Sequence, residues 1–255
     1  MTLFENERID EVNDAISLIQ KTDGLTFGTD ALLLAAYSRR GFGAAAELGS
    51  GSGIISMLML SREKCRSVSA FEVQRDYAEL TERNAARNSL SDRLCAICAD
   101  VRDIPDSHRE KYDLVFSNPP YMKSTSGLEN RVSAKNIARH EVLGTIDDFA
   151  SAAARILKFG GSFLAVYRPD RTADLIAALR SAGLEPKRLT FVHANPEARP
   201  SMLLIEAKRG GHSGMIVTAP LFIYRDGDNR EYSEDMLYID KTGDFPKKFF
   251  QTRQE

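Results

Sequence analysis

The segment Asn118-Pro119-Pro120-Tyr121 closes a run of strand-forming residues, Leu114-Val115-Phe116-Ser117, with an amide, two prolines and a phenol ring. Asn-Pro is an ordinary turn signal. The same four residues also have the means to grip a planar, amide-like group on a substrate, so the rest of the chain has to decide between the two readings. Upstream lies Glu47-Leu48-Gly49-Ser50-Gly51-Ser52-Gly53. Its glycines permit a tight turn and a close approach of backbone to ligand, because no Cβ intervenes. The helix that opens after them offers N–H groups to polar or anionic ligand atoms. Taken alone, such a loop is also what a plain strand-to-helix turn looks like. The next strand candidate ends at Glu72, where a carboxylate can accept hydrogen bonds from both ribose hydroxyls of a nucleoside cofactor. The one after it ends in Ala99-Asp100-Val101, which would set the Asp100 carboxylate and the Val101 N–H beside an adenine ring.

These residues need a frame, and the pattern supplies one. Strand-like runs fall at 44–48, 67–72, 93–99, 112–117, 161–167, 187–193 and 201–207, with helical patterns at 29–39, 53–61, 76–88, 146–157 and 171–181. Alternation of this kind implies an α/β fold with a mainly parallel sheet covered by helices on both faces. The last two runs are joined by little more than 193–200, too short for a helical crossover, so they are expected to pair antiparallel. The expectation is one sheet of about seven strands with its last hairpin reversed. In a chain of 255 residues this makes a single domain, 1–255, with an N-terminal extension (1–42), a cofactor-binding core (43–208) and a C-terminal extension (209–255).

Composition narrows the classes. Hydrophobic residues make up 43% and charged residues 27%, as in soluble globular proteins. No apolar run reaches the roughly 18 residues of a membrane span. The first ten residues are acidic and mixed rather than signal-like, so a cytoplasmic location is expected. A net charge of −2 excludes a strongly cationic nucleic-acid binder but leaves room for a local basic face. The spacing Cys95-Ala96-Ile97-Cys98 lacks a second pair, and the four histidines are scattered, so no metal site is expected. All three cysteines read as core or near-core residues.

The order Glu47–Gly53, Phe71-Glu72-Val73, Ala99-Asp100-Val101, then Asn118–Tyr121 resembles the S-adenosylmethionine-dependent methyltransferases of the Rossmann-like class, over about residues 43–208. A nicotinamide-binding GxGxxG would need glycine where Ile54 stands, which counts against an oxidoreductase. In the resembling enzymes Asn-Pro-Pro-Tyr belongs to those that methylate a planar nitrogen: adenine N6, cytosine N4 or a glutamine amide. The residue types suit that chemistry. An amine conjugated to a ring is a weak nucleophile, and the side-chain oxygen of Asn118 with the carbonyl of Pro119 could hold it as it gains positive charge. The prolines stiffen the loop, and Tyr121 would stack on the base, a contact of about 1–3 kcal/mol. On this resemblance Asn118, Pro119, Pro120 and Tyr121 are the catalytic set, and Glu47, Gly49, Gly51, Gly53, Glu72, Asp100 and Val101 hold S-adenosylmethionine.

The flanks bear on the substrate. Residues 25–36, Asn136–Glu141 and 220–236 together are similar to the bacterial tRNA adenine-N6 methyltransferases that modify the adenosine 3′ of the anticodon in a valine tRNA. That resemblance would put Phe27, Gly28 and Asp30 on the cofactor side of the pocket, although Thr29 and Asp30 equally suit a helix start. The stretch 122–145 is long for a loop and carries Lys123, Arg139 and His140, which could meet RNA; it reads equally as a solvated charged loop. Arg39-Arg40, Lys187-Arg188, Arg199, Lys208-Arg209 and Lys247-Lys248 are further basic candidates, each also readable as solvated surface. The expected partner is a tRNA, with no membrane and no metal; the oligomeric state stays open, a monomer favoured. The rivals are a glutamine or DNA-adenine methyltransferase, a nicotinamide oxidoreductase, and a non-catalytic RNA-binding module.

Overall fold

The structure is a computed structural model that describes residues 3–22, 27–119, 144–227 and 231–250. The chain opens with a hairpin, β1 (Glu7–Asn13) and β2 (Ile16–Lys21), and a helix α1 (Thr29–Tyr37). The core follows as β3 (Phe42–Leu48), α2 (Ile54–Ser61), β4 (Cys65–Glu72), α3 (Arg75–Arg87), β5 (Leu94–Cys98) and β6 (Tyr112–Ser117). Then come α4 (Ile146–Ile156), β7 (Leu157–Tyr167), α5 (Thr172–Ser181), β8 (Leu184–His193) and β9 (Pro200–Arg209). Two-residue strands β10 (Ile216–Val217) and β11 (Leu221–Phe222) precede the last helix, α6 (Glu234–Thr242).

Leu114, Val115 and Phe116 are all fully buried, which only a central strand covered on both faces achieves. Leu114 and Phe116 pack into a core with α1 and α2, while Val115 packs on the other face with α4 and α5. The sheet runs in the order β10-β8-β9-β7-β6-β3-β4-β5, with β11 also on β8. The seven long strands match the expected number, but β10 and β11 extend the sheet to nine strands. The last long strand of the hairpin is reversed as expected, while its first, β8, keeps the common direction. Only β9 runs against the others, and it lies between β7 and β8, antiparallel to both. The short 193–200 link does force β8 and β9 antiparallel; α5, crossing from β7, delivers β8 in the common direction.

The cysteine reading holds for Cys65 alone, since Cys95 and Cys98 are exposed. They sit on β5, an edge strand of the sheet, where an apolar-looking run does not guarantee cover. Among the described residues no helix is long and apolar enough to cross a membrane.

Both extensions pack against the core. On the N-terminal side, Asn88 bonds the backbone N–H and C=O of Ser17, and Asn84 those of Ile19. The two amides on α3 thus satisfy β2 as a neighbouring strand would. On the C-terminal side, Gly243 ends α6 in the left-handed region and Asp244 reaches the ammonium of the fully buried Lys64 at 2.5 Å. The Arg188 guanidinium lies over the Tyr37 ring at 3.6 Å and the Phe250 ring at 4.1 Å.

Candidate active site

Parallel strands deliver their C-terminal ends to one rim, and β3 is where the chain changes direction across the sheet. From β3 it moves outward to β4 and β5, then returns to β6 on the other flank. Such a switch point leaves a crevice above the strand ends, the usual binding place in open α/β sheets. The ends of β3, β4, β5 and β6 carry the Gly49–Gly53 loop, Glu72, Asp100 and Asn118 respectively. Beneath the crevice the Ser117 hydroxyl donates to the Leu48 carbonyl at 2.7 Å, tying β6 to β3 where both motifs start.

Gly49, Gly51 and Gly53 all have positive φ, at 72°, 54° and 79°. A side chain at Gly53 would bring its Cβ within 2.7 Å of Thr81 on α3, while one at Gly51 would meet nothing within 4 Å. The loop is therefore pressed on one side and open at its middle. Gly49 and Ser50 donate to the Phe71 carbonyl at 2.8 and 3.1 Å, and Thr81 donates to the Gly51 carbonyl at 2.9 Å. Asn84 adds a bond to the Ser52 carbonyl at 3.0 Å.

Two acids frame this loop. Glu72 is 5% exposed; it accepts from Gly51 N and Gln74 N, each at 2.9 Å. A carboxylate has acceptor sites left after two such bonds. Glu47 is 1% exposed and accepts from both the backbone N–H and the hydroxyl of Ser56. Gly53, the cap position of α2, has no side chain to offer, and Glu47 supplies that function from the neighbouring strand. Burial pushes the Glu47 carboxyl up to about 8, against the bonds from Ser56 and with the charge of Glu72 adding to the rise. Its Oε1 and the Ser50 hydroxyl are two of the three buried side-chain polar atoms that lack a partner among the described residues. Buried polar atoms are nearly always satisfied, so two orphans at one open glycine loop suit a polar cofactor.

The other expected residues divide clearly. Asp100 caps a short 3-10 turn, Val101–Asp103, and is clasped by Arg102, whose backbone N–H and Nε both donate at 2.9 Å. These bonds hold its carboxyl below the usual range, against a rise from burial. Val101 is buried. Phe27 and Gly28 precede α1, Gly28 as its cap, and Phe27 N donates to Gln20 at 3.0 Å. Asp30 is brought to Asn118, whose amide nitrogen donates to it at 2.6 Å. Pro119 is described and buried. Pro120, Tyr121, Lys123, Arg139 and His140 lie outside the described residues, as does most of 122–145.

Apart from Arg199, in the link between β8 and β9, the described basic pairs lie elsewhere. Arg39, Lys187, Arg188 and Lys208 line a cavity of about 400 Å³ with Phe42, at the start of β3, and Ser162 of β7. That is the rim opposite the glycine loop. Arg40 pairs with Asp244, Arg188 with Glu206, Arg209 with Glu110 and Lys248 with Asp235. Sequence reasoning missed Ser117, Thr81, Asn84 and Gln20, which brace the site without being part of any motif. Thr81 and Asn84 on α3 and Asn88 at its C-terminal cap do recur at helical spacing, and that polar stripe is the signal that was there to find.

A sheet of this order, with one reversed strand and a glycine loop at its switch point, defines the Rossmann-like methyltransferase class. Residues 21–180 match the family model of the methyltransferase small domain. A tRNA1(Val) (adenine(37)-N6)-methyltransferase of Phocaeicola vulgatus is 32% identical over 186 residues, 71% of this chain and 76% of that protein. One of the same description from Flavobacterium johnsoniae is 23% identical over 232 residues, 90% of this chain and 95% of the relative. The crystal structure of a predicted O-methyltransferase from Agrobacterium tumefaciens superposes with a TM-score of 0.68 at 24% identity, covering 85% of this chain and 98% of the other; it speaks for the fold. The chain belongs to the methyltransferase small domain family and, within it, to the tRNA1(Val) (adenine(37)-N6)-methyltransferases.

Proposed function

We propose that this chain methylates the exocyclic N6 of an adenosine in tRNA, the one 3′ of the anticodon (position 37) in valine tRNA, using S-adenosylmethionine. The observation that carries the reading is the meeting, at one switch point, of the open glycine loop, Glu72 and Asn118, in a chain whose relatives bear that description. The cofactor, when bound, supplies an electrophilic methyl group. Glu72 is the residue to accept from its ribose hydroxyls, the Gly49–Gly53 backbone to lie along it, and Asp100 and Val101 to meet its base; Glu47 braces the loop from beneath.

Asn118 and Pro119 do the work on the acceptor. Their oxygens take hydrogen bonds from the adenine amine, and those bonds strengthen as the nitrogen gains positive charge, which favours the transition state over the ground state. Pro120 and Tyr121 complete the loop, the ring providing a stacking face. The proton becomes acidic as the nitrogen is alkylated, so solvent can take it and a catalytic role for His140 is unnecessary. An anticodon loop presents its bases unpaired, and extruding one costs less than flipping it from a duplex. The whole chain is expected to act as one domain in the cytoplasm, with no metal requirement.

The test is incubation with labelled S-adenosylmethionine and tRNA from cells lacking N6-methyladenosine, followed by nucleoside analysis. N6-methyladenosine is the expected product. Cofactor binding without any nucleoside product would move the reading to a protein glutamine or DNA target.

A further inference from the structure

Asp30 and Asn118 are 88 residues apart in sequence, yet the Asn118 amide nitrogen donates to the Asp30 carboxylate at 2.6 Å. An ionised carboxylate accepts hydrogen bonds and cannot donate them. The bond therefore fixes which way round the amide sits: nitrogen towards Asp30, Oδ1 away from it. The flipped amide would set two oxygens against each other. Both side chains are half-buried, so this charge-assisted bond is stronger than a neutral one.

Asp30 is itself held. It sits in the first turn of α1, whose start is fixed by the Ala31 N–H bond to the Gly28 carbonyl and by the Phe27 N–H bond to Gln20. Gln20 is 2% exposed and its amide nitrogen donates to Asp10. Gly28 matters for the pose as well, since a Cβ there would stand 2.9 Å from an Asp30 carboxylate oxygen. Asp30, Asn118, Gln20 and the Phe27–Gly28 segment thus form one braced unit.

We propose that Asp30 is a positioning residue for methyl transfer: it locks the Asn118 amide so that Oδ1 faces the acceptor amine, and it acts through Asn118 rather than by holding the cofactor. This rests on the function proposed above for Asn118. It also accounts for an N-terminal segment being built against the catalytic loop. Without Asp30 the amide loses the acceptor that selects this orientation, and the flipped one would present a donor to the amine's own N–H groups.

The experiment compares Asp30→Ala and Asp30→Asn with the wild-type chain by three readouts. The first is kcat and KM for tRNA, the second the dissociation constant of S-adenosylmethionine by calorimetry, and the third the side-chain NH₂ resonances of Asn118 by nitrogen-15 NMR, assigned by their loss in Asn118→Ala. Asp30→Ala is expected to lower kcat on the order of 10- to 100-fold, the scale of a displaced catalytic group. Its cofactor dissociation constant should stay within about twofold, and the downfield Asn118 amide proton should move upfield. Asp30→Asn is near-isosteric and folds if the wild type does; its side-chain oxygen can accept from Asn118, so kcat should recover in part. An unmoved Asn118 resonance in Asp30→Ala overturns the proposal, as does weakened cofactor binding at unchanged kcat. If wild-type protein methylates no tRNA, the substrate reading fails instead, and the resonance, recorded without substrate, still decides whether Asp30 holds the amide.

Discussion

Glu47 and Glu72 stand on neighbouring strands and bond to the same stretch of chain, Glu72 to the glycine loop and Glu47 to the helix after it. Glu72 and Asn118 should separate cleanly on mutation. Glu72→Ala is expected to raise the cofactor dissociation constant about tenfold or more, the loss of two ribose contacts at roughly 1 kcal/mol each. Asn118→Ala should abolish transfer while leaving that constant nearly unchanged, and calorimetry with a single-turnover assay reads both. Glu47 makes a prediction about pH. Burial, the largest influence, holds its carboxyl up to about 8 from an ordinary 4.5. Between those values the folded chain keeps the proton that the unfolded chain has released, so stability from this group is full below about 4.5 and is lost as pH rises through about 8. The slope is at most about 1.4 kcal/mol per pH unit. Glu47→Gln stays neutral throughout, so its urea-unfolding stability should fall less than wild type between pH 5 and 9; parallel curves would remove Glu47 from this account. These acids, the glycines and Asn118 were legible because each lies in an unbroken motif and the motifs follow one another in the expected order. The Asp30–Asn118 bond was not, because a contact across 88 residues leaves no local signature.

At the level of elements, the strands read well wherever both faces are buried and poorly where tertiary partners decide. β6 is apolar along its centre because helices cover both its sides. β5 looks just as apolar, yet Cys95 and Cys98 are exposed on the sheet edge. The insertion of β9 between β7 and β8 could not be read from a short link, which fixes relative direction and says nothing of neighbours. Nor could α3's role as a partner for β2, because asparagine amides there replace a strand's peptide groups. The junction of loop and α3 is open to a direct test. Gly53 has a φ of 79°, and a Cβ there would meet Thr81 Cγ2 at 2.7 Å. Gly53→Ala therefore carries both backbone strain and overpacking, a cost of about 1–3 kcal/mol. Denaturant unfolding should show that loss together with weakened cofactor binding. Thr81→Ala in the same chain should relieve part of the clash; no relief would mean that the cost lies in φ alone.

Across the whole molecule the cofactor rim and the opposite rim are built on different principles, the first leaving polar atoms for a ligand and the second tying the C-terminal extension to the core. The acidic and basic residues nearly balance, at 36 and 34, and several of the basic pairs that suggested an RNA face are spent on internal bonds at the second rim. Lys64, not one of those candidates, is the deepest charge there: fully buried, it donates to the Ser38 carbonyl at 2.9 Å and to Asp244 at 2.5 Å. Burial alone would raise the Asp244 carboxyl, but the bonds from Arg40 and Lys64 outweigh it and hold the group below its ordinary value. A depressed carboxyl contributes stability that is present above its unfolded value, near 4, and is lost as pH falls through the folded one. Asp244→Ala strands the buried Lys64 ammonium with backbone carbonyls as its remaining partners, at a cost of about 2 kcal/mol, below that of a fully buried pair because Asp244 is partly exposed. Phe245, whose N–H bonds the Ala36 carbonyl, and Phe249, packed on it, should loosen with the change. Urea unfolding at pH 7 should therefore show the full deficit, and at pH 3 a smaller one, because below its ordinary value the unfolded wild-type chain takes up a proton at this group that the folded chain resists. A deficit independent of pH would assign the loss to packing of the C-terminal segment, and no deficit at all would mean that Lys64 is neutral in the folded chain.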